Sequence, residues 1–251
     1  MTCQPSHLKK VYNWLKSKQP CLLCDSPSQQ LIPLCTDCEA ELPWLSDHCP
    51  QCALPMPSQD ALCYDCTHNP PLFSQVITPL QFTFPVDTLI SRFKYQQNWP
   101  YGKLLSSVLG QYLHYTFDEG GRRPDLLLAV PLAKRRQRQR GYNQAQMICD
   151  WLAKTVPLDS PQQLLLRTRE TVSQQGLSAK ARRANLYNAF QITRPEQVRN
   201  KHIALVDDVL TTGTTCSIIS ALLLQHGAAR VDVYCLARTG KPQGNLSDTG
   251  R

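Results

Sequence analysis

No stretch of the 251 residues approaches the roughly 18 uninterrupted apolar residues that a membrane span requires. The opening MTCQPSHLKK has no apolar core of signal-peptide type, so a secreted chain stapled by disulfides is not expected. No G-x-x-x-x-G-K-[ST] occurs, which removes the P-loop as a phosphate-binding device. Charged residues are scarce at 18% against 42% apolar, a balance that excludes global disorder. The expectation is therefore a cytoplasmic protein with reduced thiols, made of one mid-sized domain or two small ones. Two things are in excess: twelve cysteines and a formal charge of +8.

Nine of the cysteines precede residue 67, and eight of those follow a strict pattern. Cys21-x-x-Cys24 is followed after ten residues by Cys35-x-x-Cys38, and the unit recurs 28 residues on as Cys49, Cys52, Cys63 and Cys66. Two residues between thiolates let a tight turn aim both sulfurs at one ion, and two such turns complete a tetrahedral four-thiolate zinc site. The repeat is an internal duplication. An all-thiolate set leaves no open position for water, so two structural zinc sites are expected. Spacing alone allows consecutive or interleaved pairing of the four C-x-x-C units. Cys3, Cys149, Cys216 and Cys235 are solitary, and the last three fall in apolar periodic segments as core residues.

His68-Asn69-Pro70-Pro71 closes the cysteine-rich part and suggests domains at 1–70, with a leading helix, and 71–251. Four basic and seven acidic side chains precede residue 71; 23 basic and 12 acidic follow it, so the positive excess belongs wholly to the second part. There the pattern predicts strands at 76–84, 126–132, 164–166, 202–206 and 231–236. It predicts helices at 86–97, 103–117, 143–156, 178–189 and 214–225, the last ended by Gly227. Alternating strands and helices argue for an α/β fold with a parallel sheet covered on both faces.

The most informative segment runs from Ile203 to Thr215. A buried strand delivers Asp207 and Asp208 at its C-terminal end, where α/β sheets place ligands. The loop Thr211-Thr212-Gly213-Thr214-Thr215 then opens a helix, and its N–H groups, hydroxyls and helix end suit a phosphate. Gly213 permits close backbone approach. Carboxylates beside a phosphate nest suit the hydroxyls of a ribose, or Mg2+.

A second strand end carries Lys134, Arg135, Arg136, Arg138 and Arg140, read as a loop; such crowded cations call for anions nearby. Lys134 and Arg135 are candidates for pyrophosphate; Arg136, Arg138, Arg140 and Tyr142 are candidates for DNA. The polar, basic stretch Arg167–Arg183, with Gln174-Gln175-Gly176 at its centre, is a candidate mobile loop.

The apolar run, paired acids and Thr/Gly loop resemble the PRPP-binding signature of type I phosphoribosyltransferases. The whole order also resembles the ComF family of competence proteins, from Cys21 to about Arg238. That order is the paired four-cysteine repeats, then V-P-L with R-x-R-G-Y-N-Q-A, Q-x-x-L and V-D-D-V-x-T-T-G-T-T. The resemblance implies a type I phosphoribosyltransferase-like parallel sheet preceded by a small double zinc-ribbon domain. It implies a role in natural transformation, with PRPP and Mg2+ bound and single-stranded DNA handled in the cytoplasm, and a possible protein partner in DNA uptake. By the same resemblance Asp207 and Asp208 are the ribose-binding and catalytic acids, Thr211–Thr215 the 5′-phosphate loop, and Lys180 and Arg182 the catalytic cations of the mobile loop. No segment reads as a nucleobase-selecting hood and no general base stands out, so enzymatic transfer stays open. The alternatives are an active phosphoribosyltransferase of nucleotide metabolism and a zinc-ribbon adaptor with a vestigial PRPP fold. Tyr142, Tyr187 and Trp151 are candidates for stacking on bases.

Overall fold

A computed structural model describes residues 19–58, 61–168 and 189–241. The expected leading helix, Cys3, residues 178–188 of the helix expected at 178–189, Tyr187, Lys180 and Arg182 lie outside the described residues.

The duplication extends from the cysteines to the backbone. Cys21 N–H donates to the Ser26 carbonyl at 2.8 Å, and Cys49 N–H to the Leu54 carbonyl at 2.9 Å. Asp25 and Ala53, each just past a C-x-x-C, take the left-handed conformation at φ 61° and 53° and donate back to Cys21 and Cys49 at 2.9 Å. Each unit then ends in a five-residue helix, α1 (Thr36–Ala40) and α2 (Tyr64–His68). Cys35 and Cys63 are their N-caps, with Sγ accepting from Cys38 and Cys66 N–H. A cysteine at an N-cap directs its sulfur and the one three residues on towards the same point.

The strand predicted over 76–84 is two short ones, β1 (Val76–Ile77) and β2 (Leu80–Gln81). Pro79 between them has no N–H to give a ladder. Both pair in parallel with β7 (Arg230–Arg238). Helices α3 (Val86–Tyr95) and α4 (Trp99–Asp118) follow, then β3 (Leu126–Ala129). The basic run expected as a loop is a helix, α5 (Lys134–Arg140), closed by Gly141 at φ 81°. Its Lys, Arg and Gln residues are good helix formers, and glycine pays no Cβ penalty at a left-handed C-terminus. Asn143 caps α6 (Gln144–Thr155), its Oδ1 accepting from Ala145 N–H at 3.1 Å. The short pair β4 (Leu165–Arg167) and β5 (Phe190–Ile192) is antiparallel and separate from the main sheet. Then come β6 (His202–Leu210), α7 (Thr214–Gln225) and β7.

The main sheet has the order β1-β7-β6-β3, all parallel. Its two faces lie in two separate cores. One holds α4, α6 and the first cysteine unit; the other holds α7, Phe73 and the second unit. Each ribbon thus shares the apolar core of the sheet face it covers. Cys149, Cys216 and Cys235 are buried core residues, as their periodic setting predicts. At the N-terminal end of the strands the buried Asp232 takes Arg230 Nε and His202 Nε2 at 2.9 Å and Gln75 Nε2 at 3.0 Å. No helix among the described residues is long and apolar enough to cross a membrane.

Candidate functional site

The cysteines gather consecutively: Cys21, Cys24, Cys35 and Cys38 in one cluster, Cys49, Cys52, Cys63 and Cys66 in the other, with the sulfurs of each within 4.8 Å of one another. Interleaved pairing is excluded. The Cys24–Cys35 and Cys52–Cys63 sulfurs lie 3.6 Å apart, close to the ~3.8 Å edge of a tetrahedron with Zn–S near 2.3 Å. The thiols do not share one acidity. Hydrogen bonds from Ser26 bring Cys24 down to about 6, whereas burial and the neighbouring sulfurs push Cys38 well up. Burial also raises Cys66; at Cys49 it is outweighed by N–H donation from Cys52 and Cys63, leaving that thiol at about 7. Four crowded sulfurs that resist full ionisation call for a dication in their midst. The donor set and spacing of both clusters are compatible with zinc.

At the other end of the sheet, β6 carries Asp207 and Asp208 to its C-terminal end, and the alternation of the strand turns them to opposite faces. Asp208 meets Lys94, the penultimate residue of α3, at 2.9 Å, and its Oδ1 also accepts Val209 N–H at 2.6 Å. Burial pushes the Asp207 carboxyl up to about 7, with Asp208 adding to the rise; Asp208 N–H, donating at 2.8 Å, and Lys94 oppose it. After Leu210 the chain turns through Thr211 and Thr212, both exposed, to Gly213 at φ 72°, the N-cap of α7. A Cβ on Gly213 would stand in ordinary van der Waals contact with the Phe73 ring, at 3.4 Å, so it is the left-handed turn rather than the packing that selects glycine. Thr212 and Thr214 hydroxyls lie 2.9 Å apart at the mouth of the loop. The first-turn N–H groups of this twelve-residue helix have no intrahelical acceptors and give the loop its positive potential.

The second candidate segment converges on the same place. Val130 N–H donates to the Val206 carbonyl at 2.9 Å, so Pro131–Lys134 leaves the sheet beside the acid pair. Lys134, Arg135, Arg136 and Arg138 are exposed on α5. Arg140 is half-buried, donating to Gln144 Oε1 at 2.9 Å and lying 4.8 Å over the Tyr95 ring. A cavity of about 370 Å3 is bounded by Lys94, Tyr95, Gln97, Arg136, Gln139 and Arg140, with no carboxylate in its lining. Tyr142 turns its hydroxyl to the Phe93 carbonyl and packs its half-buried ring on Phe93, and Trp151 is half-buried against the same ring.

Sequence reasoning missed Lys94 and Arg238. Adjacent acids at the end of a buried strand demanded a cation, but nothing in the local pattern of α3 named which. Arg238, at the end of β7, is 5% exposed and donates to the carbonyls of Cys52 and Leu210 at 2.9 and 3.0 Å. A charged residue closing an otherwise apolar buried strand was the available signal.

Paired cysteine ribbons joined to a parallel sheet with an acid pair and a threonine–glycine loop define a zinc-ribbon protein with a phosphoribosyltransferase domain. Family comparison agrees: the Double zinc ribbon domain matches residues 12–67 and the Phosphoribosyl transferase domain residues 161–249. Over 192 residues the chain is 38% identical to DNA utilization protein YhgH of Escherichia coli O157:H7, covering 76% of this chain and 84% of that protein. It is 33% identical over 225 residues to Competence protein F of Haemophilus influenzae, covering 86% and 90%. It is 26% identical over 239 residues to Competence protein ComFC of Bacillus subtilis, covering 87% and 95%. The chain belongs to the ComF family.

Proposed function

We propose that the protein serves DNA uptake or utilisation in the cytoplasm, holding PRPP or a related sugar phosphate with Mg2+ and contacting single-stranded DNA on the adjoining basic surface. The observation that carries this reading is the convergence of the acid pair, the exposed threonine loop and the acid-free basic cavity at one end of the sheet. The names of the relatives, DNA utilization and competence proteins, support the same direction.

In this reading Asp207 and Asp208 accept the ribose hydroxyls, and Lys94 offsets their charge so that an anion can approach. The N–H groups and hydroxyls of Thr211–Thr215 take the 5′-phosphate. Lys134 and Arg135 face the pyrophosphate, where Mg2+ would supply further neutralising charge. Lys180 and Arg182 keep the role that the family resemblance implies.

The DNA contact falls on Arg136, Arg138 and Arg140, with stacking assigned to Tyr95, which lines the basic cavity, and to Trp99; the two are 70% and 51% exposed. Tyr142 supports this wall from within, its ring edge-on to Trp99 at 6.3 Å. Base–aromatic stacking contributes about 1–3 kcal/mol per base. Replacing both Tyr95 and Trp99 by alanine is therefore expected to weaken single-strand binding at least tenfold with zinc content unchanged. Replacing Arg136 and Arg138 by alanine is expected to flatten the salt dependence, by about 0.7 in log–log slope per lost phosphate contact. Fluorescence anisotropy of a labelled oligonucleotide at several salt concentrations checks both. Binding that is undetectable or insensitive to salt removes DNA from the function.

Transfer of ribose 5-phosphate to a nitrogenous acceptor is favoured by one observation. A cleft of about 760 Å3 separates the second ribbon from the threonine loop, with Leu54, Phe73, Thr211, Thr212, Arg238 and Lys241 among its walls. The ribbon thereby supplies a cover over the sheet end where no hood was visible in the sequence. Pyrophosphate release from PRPP in the presence of an acceptor, absent in the Asp207→Asn/Asp208→Asn variant, would establish that reaction.

A further inference from the structure

The two ribbons are copies, yet they meet different parts of the molecule. In the second, the C-x-x-C turn reaches the threonine loop from two sides. Arg238 Nε donates to the carbonyl of the cysteine ligand Cys52 at 2.9 Å. The same guanidinium, through Nη1, donates to the carbonyls of Leu210 and Thr239 at 3.0 and 2.9 Å and to that of Thr211. One planar group thus pins the ligand turn to the first residues of the loop. From the other side, the Gln51 carbonyl accepts Val76 N–H at 2.9 Å, and its side-chain amide donates to the Phe73 carbonyl at 3.3 Å. The Phe73 ring is the surface on which Gly213 rests, and Leu72 N–H donates to Ser217 Oγ of α7 at 3.1 Å. Cys24, which occupies the place of Cys52 in the first ribbon, is exposed. Among the described residues the guanidinium of Arg238 has no carboxylate within ion-pair distance. Its charge stands buried between the sulfur cluster and the loop.

We infer that Arg238 is a positioning residue that couples the second four-cysteine centre to the Thr211–Thr215 loop, so that metal in that centre and an anion on the loop stabilise one another. The inference rests on reading the loop as a phosphate site. Its physical basis is reciprocity: if filling the centre holds the turn, and the turn holds the loop, a ligand that orders the loop must tighten the centre by the same factor. The first centre, seated in the other core, stays outside this linkage.

Zinc release to a chromogenic chelator, followed on the zinc-loaded full chain with and without PRPP and Mg2+, tests this without any substitution. One of the two ions is expected to leave about tenfold more slowly when PRPP is present, the other at an unchanged rate. In Arg238→Lys, which keeps the charge but cannot span both carbonyl sets, the protection should vanish. Hydrogen exchange of residues 210–217 should also quicken about tenfold while the variant still holds two zinc ions.

PRPP binding to the wild type with no change in the release of either ion overturns the coupling, as does wild-type exchange in Arg238→Lys. If PRPP does not bind at all and Arg238→Lys still quickens exchange at 210–217 and zinc release, the coupling holds and the phosphate reading of the loop fails. If Arg238→Lys does not fold, the wild-type release experiment decides alone.

Discussion

Replacing Asp207 by asparagine is expected to make the protein more stable at pH 8 and unable to hold a sugar phosphate. The carboxyl sits near pH 7 in the folded chain against an ordinary value of 3.8, because burial and the adjacent Asp208 disfavour its charge. Below about pH 4 it is protonated in folded and unfolded chains alike and costs nothing. As the pH climbs from 4 to 7 the unfolded chain loses this proton first, so stability falls; above 7 the penalty is constant. Three pH units correspond to at most about 4 kcal/mol. Asparagine mimics the protonated side chain. Its melting point should therefore exceed that of the wild type by several degrees at pH 8 and match it at pH 4. The same substitution removes an acceptor for ribose hydroxyls. For the wild type, affinity for PRPP should rise with pH up to about 7 and level off, since the ionised carboxylate is the better acceptor. The variant should show no such rise. Thermal melts at the two pH values and titrations between pH 6 and 8 check the pair of effects. A variant less stable than the wild type at pH 8 would show that the fold does not disfavour the charge of Asp207.

The second large effect concerns metal. Structural zinc sites contribute on the order of 10 kcal/mol each, comparable with the whole marginal stability of a domain. Both clusters share their cores with the sheet, so loss of metal should reach beyond the ribbons. Elemental analysis should give two zinc ions per chain. Chelation should lower the melting temperature by more than about ten degrees, and added zinc should restore it. A metal-free chain that melts like the loaded one would mean the sulfurs are held by packing alone.

The elements legible in the sequence are those whose cause is local. The cap at Asn143, the end of α7 before Gly227 and the acid pair followed by Thr-Thr-Gly-Thr-Thr are each written within a dozen residues, and the structure places them as read. The 28-residue repeat was legible because ligand spacing is itself the chemistry, and it proved to extend to the left-handed residues Asp25 and Ala53. The pairing of the C-x-x-C units was not legible, because sulfurs at either spacing can close a tetrahedron and only the fold chooses. Lys94 and Arg238 escaped because their partners, Asp208 and Cys52, lie far off in the chain and are brought to them by tertiary packing. Two misreadings were local and avoidable. Pro79 divides the first strand, and Lys134–Arg140 forms a helix because charge repulsion at its surface is weaker than the helix preference of its residues.

Calorimetric titration of PRPP with Mg2+ into the zinc-loaded chain, with and without a single-stranded oligonucleotide, tests the assignment of the β6–α7 site most directly. One PRPP is expected to bind per wild-type chain. Binding should be lost in Asp207→Asn/Asp208→Asn, while that variant keeps its zinc and its affinity for the oligonucleotide. PRPP binding that survives the double substitution, or is absent from the wild type, would contradict it.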